Sequence, residues 1–265
     1  MLYDGQNNVV MKIRQFIPNL LTLCNLLSGA AAVISILYYK EYQMGAIWIA
    51  VGALFDLFDG MVARLLHATS PIGADLDSLS DVVTFGLAPA LLALCTMEGR
   101  LLASGYAEST ALMMSLPFLL ILPFAAYRLA LFNNDTGSSN YFRGLPVPAS
   151  ALLWIGISLS TCACAVDTLS LVTSYGLLIL SCILMVSRIP MLSLKHLSAQ
   201  MKAPHGTIIL IAWGVILVPA GCLYMWLGSV ASTLRLVMML YILVSLIIGR
   251  QIKSNSDAID ATTQQ

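Results

Sequence analysis

Charge is what this chain has least of. Of its 265 residues, 10% are Asp, Glu, Lys or Arg, against roughly 25% in an ordinary soluble domain. Histidine occurs three times, and basic and acidic residues balance at thirteen each, so the formal net charge is zero. That balance leaves no polybasic signature for nucleic acid. The cysteines are few and badly spaced for metal. Cys24, Cys95, Cys162, Cys164, Cys182 and Cys222 lie in apolar runs, and the nearest two are separated by one residue instead of two. They read as small apolar residues, with neither a disulfide framework nor a zinc site. What is abundant is apolar: 59% of the chain is hydrophobic and the mean hydropathy is +0.87. A water-soluble or disordered chain does not carry that much apolar surface. An all-α integral membrane protein is the expectation.

A spanning helix takes about 20 mostly apolar residues. Eight stretches qualify: 16–39, 45–66, 73–97, 112–133, 148–166, 168–189, 206–228 and 232–250. Only Asp167 divides the fifth from the sixth. The first is too long for the core of a signal peptide and is read as a span. Residues before Phe16 (VVMKIRQF) suit a short interfacial helix, and a soluble domain is not expected. With both termini cytoplasmic, the inner side collects Lys12, Arg14, Arg64, Arg128, Arg143, Arg188, Lys195, Lys202, Arg250 and Lys253, and the outer side keeps Lys40, Arg100 and Arg235. That asymmetry is the positive-inside pattern and sets the expected orientation. The expected division is a six-span core over 1–190, then a cytoplasmic loop, two further spans and a short tail over 191–265.

The acids are concentrated. Asp56, Asp59, Asp75, Asp77 and Asp81 fall on the second and third expected spans. An Asp at the centre of a span costs about 2.5–3.5 kcal/mol even on the lenient insertion scale, so it marks function by default. At about 100° per residue, with Asp56 at zero, Asp59, Gly60, Ala63 and Arg64 share an arc of about 140°. On the third span, with Asp77 at zero, Gly73, Ser80, Asp81 and Thr84 lie within about 60° either side, and Asp75 points about 160° away. The two spans are antiparallel neighbours joined by a short loop (HATSPI), so the acidic faces meet. Four carboxylates in one pocket need a counter-charge. Hard divalent cations supply it, and two of them form the clamp used in phosphoryl transfer. Gly60, Ala63 and Gly73 leave room for a bulky ligand. Arg64 offers a planar fork for phosphate.

Read together, these residues spell D-x2-D-G-x2-A-R-x8-G-x3-D-x3-D from Asp56 to Asp81. This resembles the signature of the CDP-alcohol phosphotransferases, integral membrane enzymes. The resemblance implies that Asp56, Asp59, Asp77 and Asp81 hold two Mg2+ or Mn2+ ions and that Asp81 is the general base. It places Gly60, Ala63, Arg64 and Gly73 around the CDP and its diphosphate. Asp75 is not a fixed position and reads as a first-turn carboxylate near a helix N-terminus.

Further segments look like the phosphatidylserine synthases of that family: IPNLLTLCNLLSG with Pro18, Asn19, Thr22 and Asn25, LDSLSDVVTFGLAPA, YRLALFN (Tyr127 to Asn133) and FRGLPVPA (Phe142 to Ala149). The resemblance covers roughly residues 12–190. It implies transfer of a phosphatidyl group from CDP-diacylglycerol to L-serine with release of CMP, at the cytoplasmic face of the cell membrane, by a homodimer. Arg128 and Arg143, at the cytoplasmic ends of the fourth and fifth spans, are candidates for the serine carboxylate or a lipid phosphate, or anchor the helices at headgroup level. Asn25 either reaches the nucleotide or bonds a neighbouring helix. His67 reads as a solvated loop residue; His196 and His205, beside Lys195 and Lys202, read as a loop attracted to anionic lipid. Two rival functions stay open: the same chemistry on glycerol 3-phosphate, an inositol phosphate or choline, and a cation transporter using the carboxylates as an ion path.

Overall fold

A computed structural model describes residues 2–66, 68, 70–134, 142–161, 166–187, 189–191 and 229–263, with side chains for 16–66, 68, 70–134, 144–161, 166–187, 189 and 229–246. Helix α1 runs unbroken from Leu2 to Leu37, so the residues before Phe16 belong to the same helix as the first span instead of forming a separate one. Helix α2 (Tyr42–Leu65) follows and packs along α1. The α2–α3 connection ends on Ser70, whose hydroxyl caps α3 (Pro71–Asp81) by accepting the Gly73 N–H at 3.1 Å. Pro71 takes the first helical position, where its missing N–H costs nothing.

The chain does not leave the membrane at Asp81. It widens into a π-helical turn over Val82–Leu87, closed by the Ala88 N–H on the Val83 carbonyl, and continues as α4 (Ala88–Ala103). Pro89 has no N–H for the Phe85 carbonyl, and a wide turn just before it accommodates that missing bond. Pro117 acts similarly further on. Helix α5 (Glu108–Ser115) tightens to a 3-10 turn over Leu116–Leu120 and resumes as α6 (Ile121–Asn134).

Two two-residue strands, β1 (Phe142–Arg143) and β2 (Pro190–Met191), pair antiparallel; the other regular elements among the described residues are helical. Between them run α7 (Val147–Thr161) and α8 (Thr168–Val186). Gly144 turns from β1 at φ +74 with the carbonyls of Met185 and Ser187 within 2.9 Å of where a Cβ would sit. Only glycine suits both conditions. Asp167 is the N-cap of α8 in a reciprocal capping box with Ser170, so the residue that divided the fifth expected span from the sixth is a helix start. Helix α9 (Val230–Thr263) lies across α7 at Gly156, where a Cβ would lie 2.6 Å from the Arg235 nitrogen.

Among the described residues, five helical segments are long and apolar enough to span a bilayer: Phe16–Leu37, Tyr42–Leu65, Pro71–Ala103, Glu108–Asn134 and Thr168–Val186. They make the chain an integral membrane protein. The expected spans 148–166 and 232–250 correspond to shorter apolar helices, Val147–Thr161 and Val230–Leu246, and 206–228 lies outside the described residues. Polarity is inverted relative to a soluble fold: Leu27, Leu54, Met113, Val172 and Ile183 face outward, whereas Thr22, Asn25, Asp56, Asp59, Ser80, Asp81 and Thr84 are buried. Polar side chains cluster inward because lipid cannot hydrogen-bond them.

Candidate active site

The polar interior is centred on three helices. From α2, Asp56 and Asp59 project inward, both buried. From α3 comes Asp77, half-buried. One carboxylate oxygen of each lies within 4.8 Å of the others. Three acids one helical turn apart or on facing helices converge as their azimuths require. Asp75 is exposed, also as its azimuth requires, although it sits beyond the first turn of α3. Asp81 is buried but stands outside the three-carboxylate group. It lies one turn along α3 from Asp77 and accepts a hydrogen bond from the Asn25 amide at 3.2 Å.

Helix α1 is the third wall, although it carries none of the clustered acids. Thr22 donates to Asp59 Oδ2 at 2.6 Å. The Ser80 hydroxyl donates to the Thr22 carbonyl at 3.1 Å and the Thr84 hydroxyl to the Asn25 carbonyl at 3.0 Å. Thr22, Asn25, Ser80 and Thr84 are all buried. The approach is possible because Gly29 and Gly52 lack side chains. A Cβ at Gly29 would overlap the Thr84 hydroxyl, and one at Gly52 would lie 2.5 Å from Thr84 Cγ2 and 2.9 Å from Asn25 Oδ1. The available signal was the spacing of Pro18, Thr22, Asn25 and Gly29 at four, three and four residues, one face of a helix inside an apolar run.

The small residues divide. Among the described residues nothing lies within 4 Å of where a Cβ on Gly60 would be, so the α2 face beside Asp59 is open to them there. At Gly73 the space is taken: Asn19 Oδ1 and Ser70 Oγ would each lie 3.1 Å from a Cβ. Gly73 serves the approach of α1 to α3. Ala63 is half-buried. Arg64 is exposed, and its Nε donates to the Gly60 carbonyl one turn back at 2.8 Å, which holds the guanidinium at the rim of the opening. Arg128 is buried on α6 with its guanidinium carbon 5.7 Å from the Phe132 ring centroid, a cation–π distance. The Asn133 amide donates to Ser78 Oγ at 2.7 Å, and a Cβ on Gly86 would lie 3.3 Å from that of Ala125. This antiparallel register of α6 on the Ser78–Gly86 segment sets Arg128 within about one helical turn of Asp81 along the axis. Arg143 contributes its backbone to β1; its side chain, His67, His196, His205, Lys195 and Lys202 lie outside the described residues.

Residues 15–157 match the family model described as CDP-alcohol phosphatidyltransferase. The chain belongs to that family. Among curated proteins it is similar to the CDP-diacylglycerol–serine O-phosphatidyltransferase of Bacillus subtilis, 35% identical over 149 residues, which cover 54% of this chain and 75% of that protein. It is similar to the protein of the same name from Helicobacter pylori strain 26695, 39% identical over 140 residues (51% of this chain, 54% of that one). The Methanocaldococcus jannaschii protein of that name is 36% identical over 142 residues, 53% of this chain and 59% of its own length. The chain thus matches three quarters of the Bacillus protein and little more than half of the other two.

CDP-alcohol phosphatidyltransferases use divalent metals, and the donor set here fits one. Three carboxylates offer hard oxygen ligands at mutual distances a single cation can bridge, in surroundings where uncompensated negative charge would be costly. The matched region runs from residue 15 in α1 through most of α7 and so contains every residue of this cluster.

Proposed function

We propose that this protein is a CDP-diacylglycerol–serine O-phosphatidyltransferase: it moves the phosphatidyl group of CDP-diacylglycerol to the hydroxyl of L-serine, giving phosphatidylserine and CMP. The convergence of Asp56, Asp59 and Asp77, in a family member whose similar curated relatives bear that name, carries the reading. Asp56, Asp59 and Asp77, with Asp81 beside them, would hold two divalent cations, Mg2+ or Mn2+. The chemistry such cations would supply there is neutralisation of the donor diphosphate and Lewis-acid polarisation of its phosphoryl group. The donor enters on the open α2 face at Gly60, with Ala63 beside it, and the exposed Arg64 guanidinium meets the diphosphate at the rim.

Asp81 takes the proton of the serine hydroxyl. Asn25, which donates to that carboxylate, holds it in place and is read as its partner more than as a nucleotide contact. Arg128, buried and at about the level of Asp81 along the helix axis, receives the serine carboxylate or a lipid phosphate, and Arg143 is a second candidate. The site faces the cytoplasm in the cell membrane with both termini on that side, as the asymmetry of Lys and Arg favours. The acyl chains remain in lipid throughout. Residues 1–190 form the catalytic core and 191–265 an addition to it; association as a homodimer rests on the family resemblance alone.

The test is the purified protein in detergent with CDP-diacylglycerol and Mn2+, assayed for CMP release against serine, glycerol 3-phosphate, inositol phosphate and choline. Release confined to serine is expected. Release with another alcohol and not with serine would reassign the acceptor, and no release with any would overturn the reaction.

A further inference from the structure

Thr22 stands where three helices meet, and its two polar groups face different ones. Its carbonyl accepts the Ser80 hydroxyl of α3 at 3.1 Å, and its hydroxyl lies 2.6 Å from Asp59 Oδ2 of α2 and 3.1 Å from the Pro18 carbonyl of its own helix. A hydroxyl has one proton to give. A threonine inside a helix ordinarily gives it to the carbonyl four residues back. Here the carboxylate is nearer by half an ångström and charged, and hydrogen bonds to charged acceptors are the shorter and stronger ones. The proton therefore goes to Asp59. Thr22 and Ser80 are both buried, at 3% and 0% exposure, so water does not compete for either bond.

We infer that Thr22 is a positioning residue for the metal site: its hydroxyl holds one oxygen of Asp59 so that the carboxylate meets the cation in a fixed orientation. The inference rests on the metal-site reading above. A carboxylate on a flexible Cα–Cβ–Cγ linkage loses rotational freedom when it binds a cation. A donor fixed on a neighbouring helix removes that freedom in advance, and such outer partners of metal ligands typically matter about 10–100-fold in metal affinity. The Ser80 bond makes the donor rigid. Ser80 lies between Asp77 and Asp81 on α3, so Thr22 also ties the α3 acids to Asp59 on α2. Asn25, one turn further along α1, repeats the arrangement with Thr84 on its carbonyl and Asp81 on its amide.

Direct Mn2+ binding, read from the electron paramagnetic resonance signal of free Mn2+ over protein in detergent without substrates, tests this. Thr22→Val keeps the shape of the side chain and removes the hydroxyl; Thr22→Ser keeps the hydroxyl. Thr22→Val is expected to weaken Mn2+ binding by about 10-fold or more, with CMP release recovering substantially at high Mn2+ and the KM for serine little changed. Thr22→Ser should restore Mn2+ binding to near the wild-type value. Wild-type Mn2+ affinity in Thr22→Val would overturn the inference. So would weak binding in a monodisperse Thr22→Ser, which stands as a test even if the valine variant does not fold. If the wild-type protein binds no Mn2+, the metal-site reading itself fails; if it binds Mn2+ and loses it in Asp56→Asn, that reading survives whatever Thr22 does.

Discussion

Each acid of the cluster occupies a distinct setting, and the settings rank the consequences of neutralising it. Asp56, Asp59 and Asp77 share one group of oxygens, and an amide binds a hard cation poorly. Asp56→Asn, Asp59→Asn and Asp77→Asn are each expected to cut CMP release by orders of magnitude while the protein still inserts and purifies. Asp75 is exposed on the other side of α3, so Asp75→Asn should be mild; a loss equal to the others would show that the cluster is not what matters. Asp81 allows a sharper division. Held by Asn25 outside the three-oxygen group, it is expected to act on the acceptor, so Asp81→Asn should keep much of its CDP-diacylglycerol binding and lose transfer to serine. Joint loss of binding and transfer would make it chiefly a metal ligand. The convergence of these acids was legible because helical spacing alone orients them. The separate position of Asp81 was not legible, since it depends on Asn25, a residue 56 positions away in the chain.

At the scale of the element, the site depends on irregularities that hydropathy does not register. The expected third span, 73–97, reads as one uniform helix, yet it contains a π-helical turn directly after Asp81. That turn brings Thr84 against α1 and α2 at Gly29 and Gly52. In an ideal α-helix Ser80 and Thr84 share a face by spacing alone; here the turn between them is wider, and only the packing shows that both still reach α1. Gly52→Ala is expected to destabilise the protein by about 1–3 kcal/mol, since Thr84 is β-branched and stiff and cannot turn its methyl aside. Thermal unfolding in detergent reads this, and CMP release should fall with it because Asn25 is displaced as well. A stable and fully active Gly52→Ala would mean that the three helices are not held as tightly as the distances indicate.

Asp167 was visible in the sequence only as a break between spans. As the α8 N-cap it receives the Ser170 hydroxyl and backbone N–H, which hold its carboxyl below the usual carboxylate range. A lowered pKa contributes stability above the unfolded value, about 3.9, and that contribution is lost as pH falls through the folded one. The unfolding midpoint of the wild type should therefore exceed that of Asp167→Ala at neutral pH, and the difference should narrow below about pH 4.

Across the whole molecule, the described C-terminal helix packs chiefly on elements other than those that carry the carboxylate cluster. The acids and their partners lie on α1, α2 and α3, whereas α9 rests on α7 and β2, meeting α7 backbone to backbone at Gly156. The family match ends at residue 157, so α9 docks on the last matched helix. Composition showed another apolar stretch at 232–250 but not its docking, because an apolar helix in lipid has no hydrophobic reason to choose one neighbour over another. Small residues make that choice by letting backbones approach, and Gly156 is such a residue. Gly156→Val would place side-chain atoms where the Leu234–Arg235 backbone now lies and should push α9 away. Two measurements follow from placing residues 191–265 outside the catalytic core. The unfolding midpoint should fall and the α9 segment should become more accessible to protease, while the KM values for donor and serine change little and CMP release per folded molecule is retained. If CMP release falls as steeply as in Asp59→Asn while the protein stays folded, α9 contributes to the site, and the core does not end before it.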